Sequence, residues 1–102
     1  MISFEKHEDL LRVKKIEIIP LAEKKAKRRG IPQEWIKETI QFPAQVVEGY
    51  GGRKVAHNKF VVRNSEYLLR VVYEEKKNSY QVVTAYLTSQ IGRYWTEEAH
   101  EN

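Results

Sequence analysis

The sequence predicts an α+β domain of two layers, with two helices packed on one face of a four- to five-stranded antiparallel sheet. Three observations carry that expectation. Lys59 to Tyr86 reads as three successive runs rich in valine, tyrosine and threonine, parted by short polar stretches. Branched and aromatic side chains suit a pleated surface, and turns this short leave antiparallel pairing as the only option for the strands they join. Ahead of it lie two helix-forming segments, Leu21 to Arg29 and Gln33 to Phe42, and strand-like runs flank the helices on both sides.

In chain order, Met1 to Lys14 is read as a separate N-terminal segment in which Phe4, Leu10 and Leu11 share one side of a short helix. Lys15 to Ile19 alternates as a strand and stops at Pro20. Leu21 to Arg29 is built from good helix formers, with Leu21, Ala22 and Ala26 on one side. Gly30 is placed to end it in a left-handed cap, and Lys27, Arg28 and Arg29 suit the negative end of its dipole. Pro32 opens the second helix, whose core side is Trp35, Ile36, Thr39 and Ile40, and Pro43 ends it. Ala44 to Tyr50 is the next strand, and Gly51-Gly52 turns the chain into a strand from Arg53 to Val62. Asn64-Ser65-Glu66 and Lys76-Lys77-Asn78-Ser79 are the two turns of the meander. Ser89 to Tyr94 is read as a short turn of helix, and residues 96–102 as a frayed acidic tail. The expected domain is therefore 15–95. Its expected core is Leu21, Ala26, Trp35, Ile36, Ile40, Val83, Ala85 and Leu87. The face away from the helices is expected to be open, because Arg70 stands in mid-strand and a covered guanidinium would need a partner.

A chain of 102 residues with 41% hydrophobic content can build one core. It has no cysteine, so it has neither a disulfide framework nor a thiolate metal site. No apolar run reaches the roughly 18 residues of a membrane helix, and the first residues lack a signal-peptide core. A cytoplasmic protein without a membrane partner is the expectation. The formal net charge is +4, but the charge is uneven. Basic residues crowd Arg12 to Arg29 and Arg53 to Arg70, whereas Glu97, Glu98 and Glu101 make the end acidic. A basic body suits a polyanion such as nucleic acid, and a solvated lysine-rich surface is the plain alternative.

Several runs together resemble a known family: Pro20-Leu21-Ala22, Arg28-Arg29-Gly30-Ile31-Pro32, Trp35-Ile36, Gly52-Arg53-Lys54, Leu69-Arg70-Val71-Val72-Tyr73 and Val82-Val83-Thr84-Ala85-Tyr86. This family is a prokaryotic group of small uncharacterised domains placed with the RelE/ParE-like toxins, in the wider barnase, EndoU, colicin and RelE superfamily. The likeness covers nearly all of Lys15 to Trp95, and Thr88 to Trp95 fits a subset of the group. It implies a RelE-like fold and a toxin of a toxin–antitoxin pair that cuts mRNA from its open sheet face. Arg70 matches the toxins' strand arginine, Lys54 and Lys59 loosely match their lysines, and Tyr94 or Trp95 matches a late aromatic. One departure is plain. Many relatives carry a histidine in a Pro-His-Ala run where this chain has Leu21. The ParE branch acts on gyrase and needs no nuclease site.

Cleavage of RNA by internal attack needs a base, cations around the phosphorane and an acid for the leaving oxygen. His7, His57 and His100 are too scattered to suggest a metal site, so a metal-independent mechanism without a cofactor is the enzymatic reading available. The candidate catalytic residues are Arg70 for phosphate charge, His57 for proton transfer, Tyr86 for a proton or a base stack, and Lys54 for steering phosphate. Alternation sets Thr84 and Tyr86 on one face with Arg70. Lys59, Arg53, Thr84, Arg93 and Tyr94 are the candidate RNA contacts. Each has a plainer role open to it: Arg70 could pair with Glu74 or Glu48, His57 and Lys54 could be surface residues of a strand, and Tyr86 a cross-strand tyrosine. Two functions follow as expectations, an endoribonuclease toxin acting on RNA or the ribosome, or a non-catalytic binding module or inhibitor of a protein target. A nuclease would need cover, so a small acidic antitoxin-like partner is expected.

Overall fold

The computed structural model describes residues 14–96. The helix expected in residues 1–14 and the tail expected at 96–102 lie outside the described residues, except for Lys14 and Thr96. Strand β1 (Lys15–Ile18) leads into α1 (Pro20–Arg28) and α2 (Gln33–Gln41). Then come β2 (Gln45–Glu48), β3 (Lys54–Val62), β4 (Ser65–Glu75) and β5 (Ser79–Thr88), and one turn of helix, α3 (Ile91–Tyr94).

The five strands form one sheet in the order β1-β5-β4-β3-β2. The sheet is mixed and not antiparallel throughout. Strands β2 to β5 are an antiparallel meander, but β1 lies parallel to β5, from Lys15 opposite Ser79 to Ile18 opposite Val82. Nor do the helices form an N-terminal layer laid on an antiparallel sheet. They follow β1 and carry the chain from one edge of the sheet to β2 at the other, α1 lying against β5 and α2 against β3 and β4. Connectivity explains the difference. Short turns dictate direction within the meander, whereas β1 meets β5 only after the helices and three further strands, so no turn constrains that pair.

Helix α1 begins with Pro20 at its first turn and buries Ala22 and Ala26. Leu21 points away and is 57% exposed, contrary to the expected core, because one residue along a helix turns the side chain by about 100° from the buried stripe. The helix ends as its sequence implies. Gly30 sits at φ 73°, its N–H bonds Lys27 O at 3.0 Å, and the Ile31 N–H bonds Ala26 O at 2.9 Å. This double bond closes the orphan carbonyls and drives Ile31 into the core. In α2, Ile36, Thr39 and Ile40 are buried, while Trp35 is half-buried and lies flat on Phe60 of β3, ring centroids 4.3 Å apart.

Two strand details differ from expectation. The β3–β4 turn is Arg63-Asn64, at φ 52° and 68°, between the paired residues Val62 and Ser65. Two left-handed residues match the right-handed twist of a two-residue hairpin, so β4 starts one residue after Asn64. Strand β5 carries a bulge: Val72 faces Thr84 but Tyr73 faces Val82, leaving Val83 as the extra residue. The bulge resets alternation, so Val82 and not Val83 is buried in the core beside Val71, Leu69 and Ala85. Leu87 packs at the edge of that cluster.

Candidate functional site

On the face away from the helices, four strands align one residue each. Gln45 of β2 is in register with His57 of β3, His57 with Arg70 of β4, and Arg70 with Tyr86 of β5. Residues in register across neighbouring strands point to the same side and stand about 5 Å apart. A polar row thus crosses most of the sheet. Above and below it on the same face, Val55 and Leu68 are buried and make an apolar floor.

The row is joined by hydrogen bonds whose directions can be assigned. The Thr96 N–H donates to Gln45 Oε1 at 3.3 Å, and Gln45 Nε2 donates to Thr96 O at 2.9 Å, which orients the amide. Gln45 Oε1 therefore accepts from His57 Nδ1 at 2.9 Å, and His57 carries its proton there. Nε2 is left with its lone pair and accepts from Arg70 Nε at 3.1 Å. Arg70 Nη1 then donates to the Tyr86 hydroxyl at 2.7 Å. His57 is fully buried, and burial first, then the adjacent Arg70 charge, lowers its pKa from 6.5 to about 4. It is a neutral imidazole at physiological pH. Arg70 is half-buried, with three of its five N–H groups uncommitted, and among the described residues no carboxylate forms an ion pair with it.

This face is not fully open. The chain after β5 folds back over it: Arg70 Cζ lies 3.9 Å from the Tyr94 ring centre, and Lys59 Nζ 4.2 Å from that of Trp95. Trp95 also stands 6.5 Å from His57, ring to ring, and Thr96 holds Gln45. Cations over aromatic faces are favourable contacts, stronger where water is excluded. Arg93 contacts the same Tyr94 from 5.4 Å and reaches Gln90 Oε1 at 3.3 Å.

The structure divides the residues singled out from the sequence. Arg70, His57, Tyr86, Lys59, Tyr94 and Arg93 gather on or beside the row. His57 is sealed beneath it, where it meets no solvent. Lys54 does not join them. It is in register with Tyr73 on the helix side of the sheet and lies 3.9 Å from Glu75. Strand parity forbids what was expected, because residues 54 and 57 of one regular strand face opposite ways. Arg53 is spent on Glu74 at 2.9 Å, and that contact together with Lys76 holds the Glu74 carboxyl below its ordinary range. Thus Glu74 pairs with Arg53 and Lys76, and Arg70 is left without it. Thr84 shares the Arg70 face, though its hydroxyl is 3.5 Å from Arg29 Nη1, whose firmer bond is to Ala85 O at 2.8 Å. Gln45 was not anticipated. A polar residue opening a short edge strand gives no sign of being buried, and its partner Thr96 is 51 residues away.

Two clefts of about 280 and 340 Å³ lie on other parts of the surface, one between α1 and α2 and one beside Arg29, Trp35, Arg63 and Leu87. Neither borders Arg70. Among the described residues no cluster of three His, Cys, Asp or Glu has the arrangement of a metal site, and no helix is long and apolar enough to cross a membrane. No family model matches the chain, and neither a curated protein nor a solved structure matches it.

Proposed function

We propose that the Arg70 face binds single-stranded RNA through its phosphodiester backbone, in a basic cytoplasmic binding domain. One observation carries this reading: Arg70 is held at Nε and Nη1 by two uncharged groups and, among the described residues, forms no ion pair with a carboxylate, so neutral groups orient its charge. A guanidinium with free N–H groups suits a phosphate oxygen pair. Lys59 supplies a second cation on the same face, and the rings of Tyr94 and Trp95, which these cations lie against, add aromatic surface beside it. The likeness of Arg70-Val71-Val72-Tyr73 to the strand of RelE-like toxins agrees with a phosphodiester ligand. Fluorescence anisotropy with a short labelled single-stranded RNA tests it. Arg70→Ala should weaken binding ~10- to 100-fold, the scale of one charge-assisted hydrogen bond, and lower the slope of log K against log salt by ~0.7. Equal affinity and slope for the two proteins would end this reading.

Cleavage is the second reading, favoured by the 2.7 Å contact between Arg70 and Tyr86. The hydroxyl accepts that bond and keeps its own proton, which it can give to a leaving oxygen beside the cation. A base is the missing part, since His57 has its lone pair engaged and is out of reach of a ligand. Incubation of RNA with the protein in EDTA, free and on ribosomes, separates the readings: products that vanish in Tyr86→Phe would establish the nuclease. In either case an acidic protein, adding a strand or helix over the basic face, is the partner we propose, and its binding should weaken with salt.

A further inference from the structure

Gln45 is 4% exposed on an edge strand, where a polar side chain would ordinarily turn to water. All its polar atoms are engaged, and each bond constrains the next. A backbone N–H can only donate, so Thr96 fixes the amide oxygen on the side facing His57. An amide oxygen can only accept, so the histidine must donate from Nδ1 and leave Nε2 as the acceptor. Arg70 Nε can only donate, and Nε2 is the one acceptor that the structure shows for it. A glutamate at position 45 would break this logic at one step. Its carboxylate would favour the imidazolium, which bears a proton on both nitrogens. Nε2–H would then face Arg70 Nε–H, donor against donor, with two positive charges side by side.

We propose that Gln45 is a positioning residue for the Arg70 site, setting the His57 tautomer through which Arg70 is presented to a phosphate. The proposal rests on the RNA-binding reading for its function, but its geometry can be tested apart from it. The carboxamide is the group suited to the task, because it accepts strongly without carrying charge. A carboxylate would also place a counter-ion in the row and so compete with the ligand.

The experiment is nitrogen-resolved NMR of the imidazole in the full chain at neutral pH, paired with RNA anisotropy on the same samples. Wild type should show neutral His57 protonated at Nδ1. Gln45→Glu should show both nitrogens protonated and bind RNA at least ~10-fold more weakly, the scale of one mispositioned charge-assisted contact. Gln45→Met, close in size but without the acceptor, leaves the tautomer to Arg70 alone, so the Nδ1 preference should weaken and RNA binding with it. Circular dichroism confirms that each variant is folded. If Gln45→Glu fails to fold, the wild-type tautomer and Gln45→Met still decide. Wild-type His57 protonated at Nε2 overturns the proposal outright. So does a Gln45→Glu protein with the wild-type tautomer and wild-type affinity. RNA binding that is indifferent to Arg70→Ala, with the tautomers as expected, would instead remove the RNA reading and keep the relay.

Discussion

Acidification should unfold this protein through one group more than any other. His57 is fully buried and neutral, with a pKa lowered from 6.5 to about 4. The unfolded chain takes up a proton near 6.5 and the folded one only near 4, so below pH 6.5 the unfolded state binds more protons. Stability is complete above 6.5 and falls as pH drops toward 4. Each pH unit in that window costs up to about 1.36 kcal/mol, which gives about 3 kcal/mol by pH 4. That is a large part of the ~5–15 kcal/mol total typical of a single domain. Glu74 and Glu75 also have lowered pKa values, so they add their own loss as pH falls through the carboxylate range. A His57→Gln variant separates the terms, since it keeps both glutamates and can still accept from Arg70 and donate to Gln45. Urea melts from pH 7 to pH 4 should show wild type losing about 3 kcal/mol more than His57→Gln. A difference below about 1 kcal/mol would mean that His57 reaches solvent in the native state, and the relay as described would be wrong.

Other outcomes follow from the same structure. Gly30→Ala should cost ~1–2 kcal/mol in a urea melt, all of it backbone strain at φ 73°, because a Cβ there meets nothing within 4 Å. Trp35→Ala should cost about 2 kcal/mol, less than the ~3–5 kcal/mol of a fully buried aromatic, because Trp35 is half-buried and stacks on Phe60. A loss above 4 kcal/mol would show that more than this stack depends on it. In RNA titrations Lys59→Ala should lower the salt slope by ~0.7 while Lys54→Ala leaves it unchanged, since only Lys59 shares the face of Arg70. Equal effects would mean that RNA reaches both sides of the sheet.

Part of the site was legible because strand alternation is a local property. Arg70 and Tyr86 lie in runs whose parity can be counted, and they meet as counting suggests. The same counting, applied between residues 54 and 57, would have kept Lys54 apart from His57. The bulge at Val83 defeats parity further along β5, because an extra residue shows only when its partner strand is known. The role of His57 was not legible at all. A histidine in a strand reads equally as a proton-transfer group or as a surface residue, and its burial beside Gln45, Arg70 and Trp95 shows only in the fold.

By itself the sequence determined the order of the elements and the approximate places of the turns between them. Gly30 after a basic helix end, Pro20 and Pro32 at helix starts and short polar turns between valine-rich runs act over a few residues, so each leaves its mark in the local order of the chain. Tertiary structure alone decided what joins residues distant in sequence. It set β1 parallel to β5, laid Tyr94, Trp95 and Thr96 across the face expected to be open, and paired Gln45 with Thr96. Those contacts depend on how the whole sheet closes, and on which polar groups are buried together when it does. No short window of residues holds that information, because the free energy that selects the arrangement comes from burial and hydrogen bonding between segments brought together only by folding.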